Sequence, residues 1–275
     1  MAMNRADIRR LPKVELHNHL DGGLRVQTVI ELADDVGYSG LPTTNPAALA
    51  DWFDQGDSGS LERYLESFDH TIAVLQTAAA VERVAFEAGE DLAADGVVYA
   101  EIRFAPWLNT RRGLRREDVI EAALAGLQRA TDETGLVLGL IVDAMRNHDH
   151  SVEDARAAVR FVGQGVVGFD LAGPEVGFPP DEHLAACRLA ADYGLGLTIH
   201  AGEAAGPDSI HRAIARCGAQ RIGHGIRIVD DITIGLDGET EFGGVAAEVR
   251  DRQIPLEVCP HSNLHTLGIE AVSYT

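Results

Sequence analysis

Apolar and polar positions along the 275 residues follow two alternating periods. Short β-branched runs predict seven strands, at Val14–Leu20, Val97–Phe104, Leu136–Asp143, Val166–Leu171, Leu195–His200, Arg221–Gly223 and Pro255–Cys259. The stretches between them show helical spacing with start and stop signals. Ser151 with Asp154 opens one helix, and Gly135 and Gly194 close those before the third and fifth strands. Strict alternation of strand and helix implies right-handed crossovers and a parallel sheet. The strand bodies are apolar, whereas polar residues collect at or just past their C-terminal ends: His17 to Asp21, Asp170, His200 to Glu203, His224, and Cys259 to Asn263. Ligand groups placed there fit a (β/α) barrel and also an open doubly wound sheet. No G-x-G-x-x-G follows an early strand with an acidic residue some 20 positions on, which favours the barrel. The expected class is therefore α/β, a TIM-type barrel.

The interval from about residue 24 to residue 96 is too long for one crossover. It holds at least two helical segments around a Pro/Gly/Asp-rich stretch from Gly37 to Ser60. Leu61, Tyr64, Leu65 and Phe68 fall at i, i+3, i+4 and i+7, one helix face that can either pack into the core or cover the barrel mouth as a lid. No low-complexity linker or composition break divides the chain, so residues 1–275 read as a single barrel domain carrying this insertion.

Composition narrows the partners. Lysine plus arginine number 23 against 43 aspartates and glutamates, a formal balance of −20, which repels phosphate backbones and anionic lipid and argues against nucleic acid or membrane as partner. The three cysteines, Cys187, Cys217 and Cys259, are odd in number and far apart, so a reducing, cytoplasmic setting is expected rather than a disulfide framework. The opening MAMNRADIRRLPKVE has no signal-like apolar core, and no later run reaches the roughly 18 apolar residues of a spanning helix. Oligomeric state leaves no mark in the sequence.

His17-Asn18-His19 ends the first strand, and period-two alternation turns both imidazoles to one side. Two nitrogen ligands from one strand is a usual start for a zinc site, although a lone His-x-His is commonly two unrelated histidines. His200, in His200-Ala201-Gly202-Glu203, can complete a three-histidine set, with Glu203 a short turn away. His224 follows a further strand. Zinc on three nitrogens with an open position lowers the pKa of bound water to about 7. Glu203 then stands as proton donor or acceptor, and His224 as a hydrogen-bonding group for the water or the developing oxyanion. These residues point to metal-assisted attack of water on carbon or phosphorus, without saying which. His148 and His150, in a polar loop before Ser151, read as solvent-exposed; His70, His183 and His211 read as surface or supporting residues; His261 and His265 carry no specific signal.

VELHNHLDGGLR (14–25), YAEIRFAP (99–106), GFDLAGPE (168–175), TIHAGE (198–203), RIGHGIR (221–227) and LEVCPHSN (256–263), in this order, resemble the successive strand-end motifs of the adenosine deaminase family. The resemblance spans nearly the whole chain. It implies a zinc-dependent barrel hydrolase that converts adenosine, and usually 2′-deoxyadenosine, to inosine and ammonia. It makes His17, His19 and His200 the zinc ligands, Glu203 the group that protonates purine N1, and His224 the group that orients the attacking hydroxide at C6. It places Asp21 on a ribose hydroxyl, His19 beside the substrate, and the Gly173 backbone on the purine. It also turns the face of Leu61, Tyr64, Leu65 and Phe68 into a hydrophobic gate. A different deaminase fold is marked by H-x-E with P-C-x-x-C, and neither piece occurs here.

The chain departs from the family's pattern at one place. The family's last functional motif is a paired aspartate at the end of the eighth strand, whereas no aspartate follows Asp251 here and the sequence runs out in GIEAVSYT. The expectation is a C-terminally truncated member whose barrel lacks the eighth strand and whose turnover is impaired. Alternatives are a non-catalytic remnant that binds zinc or nucleoside, an adenine deaminase, and a PHP-type phosphoesterase. The last lacks its late Asp-x-His here, and the Asp21 of HLDG resembles the nucleoside-specific rather than the free-base branch.

Overall fold

The computed structural model describes residues 7–8, 11–54, 58–235 and 238–266. Its strands are β1 (Lys13–His19), β2 (Val97–Phe104), β3 (Val137–Met145), β4 (Val166–Ala172), β5 (Gly196–Ala201), β6 (Arg221–His224), β7 (Ile232–Ile234), β8 (Thr240–Phe242) and β9 (Leu256–Glu257). Seven of them form one sheet in the order β1-β2-β3-β4-β5-β6-β9, which follows the chain. The seven strand runs and the α/β class expected of them are therefore present. Ends differ by one or two residues: β1 begins at Lys13 and stops at His19, β3 extends to Met145, and β9 is only two residues long. The antiparallel pair β7–β8 has no counterpart among the expected strands, because each member is three residues long and exposed, too short for a periodic signal.

The residues divide into two units: 1–54, 67–142 and 160–167 in one, and 55–66, 143–159 and 168–275 in the other. In the first, β1 and β2 pair in parallel with Val14 beside Tyr99, and β2 and β3 with Tyr99 beside Val137. The helices Ala78–Ala94 and Arg116–Thr134 pack together in this unit. Thr77 caps the first of them by accepting from Ala80 N–H, and Asp118 accepts from the Arg115 N–H at the start of the second. Gly135 ends that helix in the left-handed conformation at φ 77°. At Gly126 a Cβ would lie 2.2 Å from the Glu82 carbonyl oxygen, so glycine is what allows the two helices to approach.

In the second unit β5, β6 and β9 pair in parallel, with Ile199 beside Ile222 and Ile222 beside Leu256, and the side chains of Ile199 and Ile222 are buried. The helix Leu184–Asp192 precedes β5, Pro207–Ala215 connects β5 to β6, and Gly244–Asp251 precedes β9. Gly194, at φ 86°, follows the first of them as expected of a stop residue. Ser151 behaves differently: the helix Ser151–Ala158 has His150 at its N-cap, and the Ser151 hydroxyl instead meets His183 Nδ1 at 2.9 Å.

Between β1 and β2 the chain forms five helices among the described residues: Val26–Val36, Pro46–Phe53, Leu61–Glu66, Phe68–Val74 and Ala78–Ala94. The single face expected over Leu61, Tyr64, Leu65 and Phe68 is broken at Ser67, and Phe68 opens the next helix. Among the described residues no helix is long and apolar enough to cross a membrane.

Candidate active site

Each strand-end motif brings its polar residues to where a strand stops. His17 and His19 sit at the end of β1 with ring centroids 5.2 Å apart, both half-buried. The chain then turns through Leu20–Gly22, and Asp21 goes under cover. Burial pushes the Asp21 carboxyl up to about 7. Phe68 packs over this turn: its ring centroid is 6.4 Å from that of His19, and a Cβ on Gly22 would meet the Phe68 ring at 3.1 Å.

In the second unit, β4 to β6 supply a connected set. Asp170, wholly buried near the end of β4, places Oδ2 2.8 Å from Nδ1 of His200 on β5, and its Oδ1 accepts the His200 backbone N–H at 3.1 Å. A carboxylate beside Nδ1 is the usual outer partner of a histidine that ligates a metal through Nε2. The Arg146 guanidinium, buried after β3, donates to the His200 carbonyl at 2.6 Å. Burial lowers its pKa, and the charges of Glu175, Asp170 and Glu203 oppose that shift.

Glu203 follows β5 in a loop held by one carboxylate. Glu175 Oε1 accepts from Gly202 N–H at 2.7 Å and from the Ser209 hydroxyl at 2.5 Å. Its Oε2 accepts from the N–H groups of Glu203, Ala204 and Ala205 at 3.0, 2.7 and 2.8 Å. The Glu203 side chain lies 5% exposed, and burial pushes its carboxyl up to about 7, with the Glu175 charge adding to the rise. His224, at the end of β6, approaches Glu203 Oε2 with Nε2 at 3.5 Å, and its ring centroid is 5.3 Å from that of His200. Asn263 Nδ2 lies 2.9 Å from the other ring nitrogen, Nδ1.

Tyr64 faces this set, hydrogen-bonded to Ser262 and within the field of Glu203; burial raises its phenol pKa. Leu61 is buried and Leu65 half-buried on the same short helix. Gly173, just past β4, has φ 94°, a backbone conformation that residues with side chains rarely adopt. The structure thus brings His17 to His19 and Phe68, and His200 to Glu203, His224 and Tyr64. His148 is exposed and His150 half-buried, their rings stacked at 6.5 Å; His70 bonds the Tyr38 hydroxyl, and His183 is buried between Ser151 and the Arg146 carbonyl.

Four residues escaped assignment from sequence: Asp170, Glu175, Arg146 and Asn263. Asp170 and Asn263 stood at strand ends, which was their signal. Glu175 and Arg146 lie one short segment further on, where only the folded backbone shows what they hold.

The donor chemistry fits a borderline-soft divalent cation. His17 and His19 offer ring nitrogens near the end of β1, and the Asp170 carboxylate lies 2.8 Å from Nδ1 of His200, the arrangement of a histidine that binds metal through Nε2.

Comparison with known proteins agrees in scale. The adenosine deaminase family model matches residues 12–274. An adenosine deaminase of Mycobacterium ulcerans is 54% identical over 272 residues, covering 97% of this chain and 75% of that protein. Among solved structures, an adenine deaminase from Arthrobacter aurescens superposes with a TM-score of 0.79 at 28% identity over 94% of this chain and 75% of its own. An amidohydrolase from Burkholderia ambifaria with bound Zn gives 0.78 at 26% identity, over 97% of this chain and 71% of its own. With a family match of this extent and more than half of the aligned positions shared with a mycobacterial relative, the chain belongs to the adenosine deaminase family.

Proposed function

We propose that the protein is a hydrolase of C–N bonds that deaminates adenosine and 2′-deoxyadenosine, giving inosine or 2′-deoxyinosine and ammonia, with zinc held by His17, His19 and His200. A cation on those nitrogens supplies acidification of water to near neutral pKa. The remaining work belongs to side chains of this chain. Glu203 holds a proton on its carboxyl and passes it to purine N1 as oxygen adds to C6, which quenches the negative charge that would otherwise grow on the ring. His224 hydrogen-bonds the incoming oxygen. As the new C6–O bond becomes a carbonyl its hydroxyl proton passes to the amino group, the C6–N6 bond breaks and ammonia leaves, while the proton given up by the attacking water returns Glu203 to its acid form. Asp21 takes a ribose hydroxyl, the Gly173 backbone takes the purine, and Leu61, Tyr64, Leu65 and Phe68 close over the base.

The observation that carries this reading is the Glu203 carboxyl, buried so that it keeps its proton to about pH 7 and set 3.5 Å from His224. A carboxyl that is still protonated at neutral pH is what an acid for N1 requires. The mycobacterial adenosine deaminase is far more similar to this chain than the adenine deaminase of known structure, 54% against 28% identity, which supports the nucleoside over the free base. The test is the zinc-supplemented 275-residue chain incubated with adenosine and, separately, adenine. Loss of the adenosine ultraviolet band with stoichiometric ammonia, abolished by Glu203→Gln, is expected; absence of inosine, or faster turnover of adenine, overturns the reading.

A further inference from the structure

His224 is one of two residues other than glycine among those described with positive φ, 63°, a left-handed backbone that residues with side chains rarely adopt. Its strand pairs normally up to that point, with Ala201 beside His224, and Gly225 N–H donates to the Ala201 carbonyl. The strained turn aims the ring into a pocket where both nitrogens have neighbours. Nε2 lies 3.5 Å from Glu203 Oε2. Nδ1 lies 2.9 Å from Nδ2 of Asn263, which is wholly buried. Asn263 stands on the helix Pro260–His265, and its backbone N–H is spent on the Cys259 carbonyl, so the helix itself sets where the amide sits.

A neutral imidazole has one N–H and one lone pair, and the partner of one nitrogen decides the role of the other. An amide NH2 can only donate. We infer that Asn263 is a positioning residue: by donating to Nδ1 it holds His224 in the Nε2–H form, so that the nitrogen facing Glu203 is a hydrogen-bond donor. Were the Asn263 oxygen turned to the ring, Nδ1 would carry the proton and Nε2 would be an acceptor, unable to donate to oxygen arriving at C6. The catalytic part of this inference rests on the deaminase reading; the tautomer does not.

The experiment has two arms on the full chain. Histidine labelled with 15N gives the tautomer from the nitrogen shifts and the couplings to ring protons, with the His224 signals assigned by their loss in His224→Gln. The wild type should show the Nε2–H form. Asn263→Asp has the same shape but, ionised, only accepts, and should move His224 to the Nδ1–H form; Asn263→Ala should give a mixture, and serves if the aspartate variant does not fold. In the second arm, kcat for adenosine should fall by at least about tenfold in Asn263→Asp with KM within about threefold, since loss of a group that orients another commonly costs 10–100-fold. A wild-type Nδ1–H form, or an unchanged tautomer in both variants, overturns the inference whatever the turnover. An inactive wild type with the Nε2–H form and the expected shifts overturns the deaminase reading and leaves the tautomer assignment supported.

Discussion

Replacing Glu175 by alanine should destabilise the protein by about 3–5 kcal/mol, a large part of the 5–15 kcal/mol typical of a folded domain. The figure follows from the hydrogen bonds that Glu175 accepts. One carboxylate, 4% exposed, accepts four consecutive backbone N–H groups and a hydroxyl at 2.5–3.0 Å. Hydrogen bonds to a charged group are worth roughly 1.5–3 kcal/mol each, and a buried donor left without an acceptor costs about 1–3 kcal/mol. Ala204 and Ala205 are half-exposed and can turn to water, which leaves Gly202 and Glu203, both buried, as the stranded donors. Two such donors with the loss of the charge-assisted bonds give the stated range. At about 2–3 °C per kcal/mol for a chain of this size, the thermal midpoint should fall by about 6–15 °C. Glu175→Gln should cost less, because an amide oxygen in place of Oε2 still serves Glu203, Ala204 and Ala205, while its NH2 opposes the Gly202 N–H. Urea unfolding followed by circular dichroism measures both variants. A Glu175→Ala chain within about 1 kcal/mol of wild type, with an unchanged denaturant slope, would refute the reasoning and mean that solvent reaches the loop freely.

Other outcomes follow from the same geometry. Gly126→Ala should destabilise by at least about 1–3 kcal/mol, since its Cβ would lie 2.2 Å from the Glu82 carbonyl; a neutral effect on the thermal midpoint would contradict the helix contact. In metal-free protein, Glu203→Gln should raise stability at pH 8 relative to pH 5. A carboxyl lifted from 4.5 to about 7 on folding keeps its proton longer folded than unfolded, so stability is lost as pH rises through that window, by up to about 3 kcal/mol; equal gains at both pH values would exclude the raised pKa. Asp170→Asn should weaken zinc binding by about 10–100-fold, read by competition with a chromophoric chelator, because His200 loses the carboxylate 2.8 Å from its Nδ1; unchanged affinity would remove His200 from the proposed ligand set.

Most strand bodies could be read from the sequence because they are short runs rich in β-branched residues, largely buried, even where a buried charged residue such as Glu101 or Arg103 interrupts them. Val97–Phe104 agrees with the structure at both ends. The helical insertion was harder. Leu61, Tyr64, Leu65 and Phe68 keep helical spacing across Ser67, yet the backbone breaks there, and periodicity cannot register a break that leaves the spacing intact. Ser151 shows a related limit: serine ahead of acidic residues is a cap signal, but a buried histidine 32 positions away claims the hydroxyl. Glu203 and His224 were legible as strand-end groups. The residues that fix them were not, since an acceptor of backbone N–H groups such as Glu175 has no spacing rule relating it to its donors.

Glu175 and Glu203 show how one kind of side chain takes opposite roles within a single loop region. Glu175 is surrounded by donors, five of them, so its buried charge is answered at every oxygen. Glu203 enters the same interior with its own N–H spent on Glu175 and with His224 no nearer than 3.5 Å, so removal from water decides its state and the proton stays. The two are coupled through sign as well as through the backbone, because the Glu175 charge raises the proton affinity of Glu203. A loop clasped by a neutral acceptor would lack that charge and make Glu203 a poorer holder of a proton at neutral pH. The choice of a carboxylate for the clasp therefore serves rigidity and acidity together, and it places the destabilisation of a buried acid beside the group whose hydrogen bonds offset it.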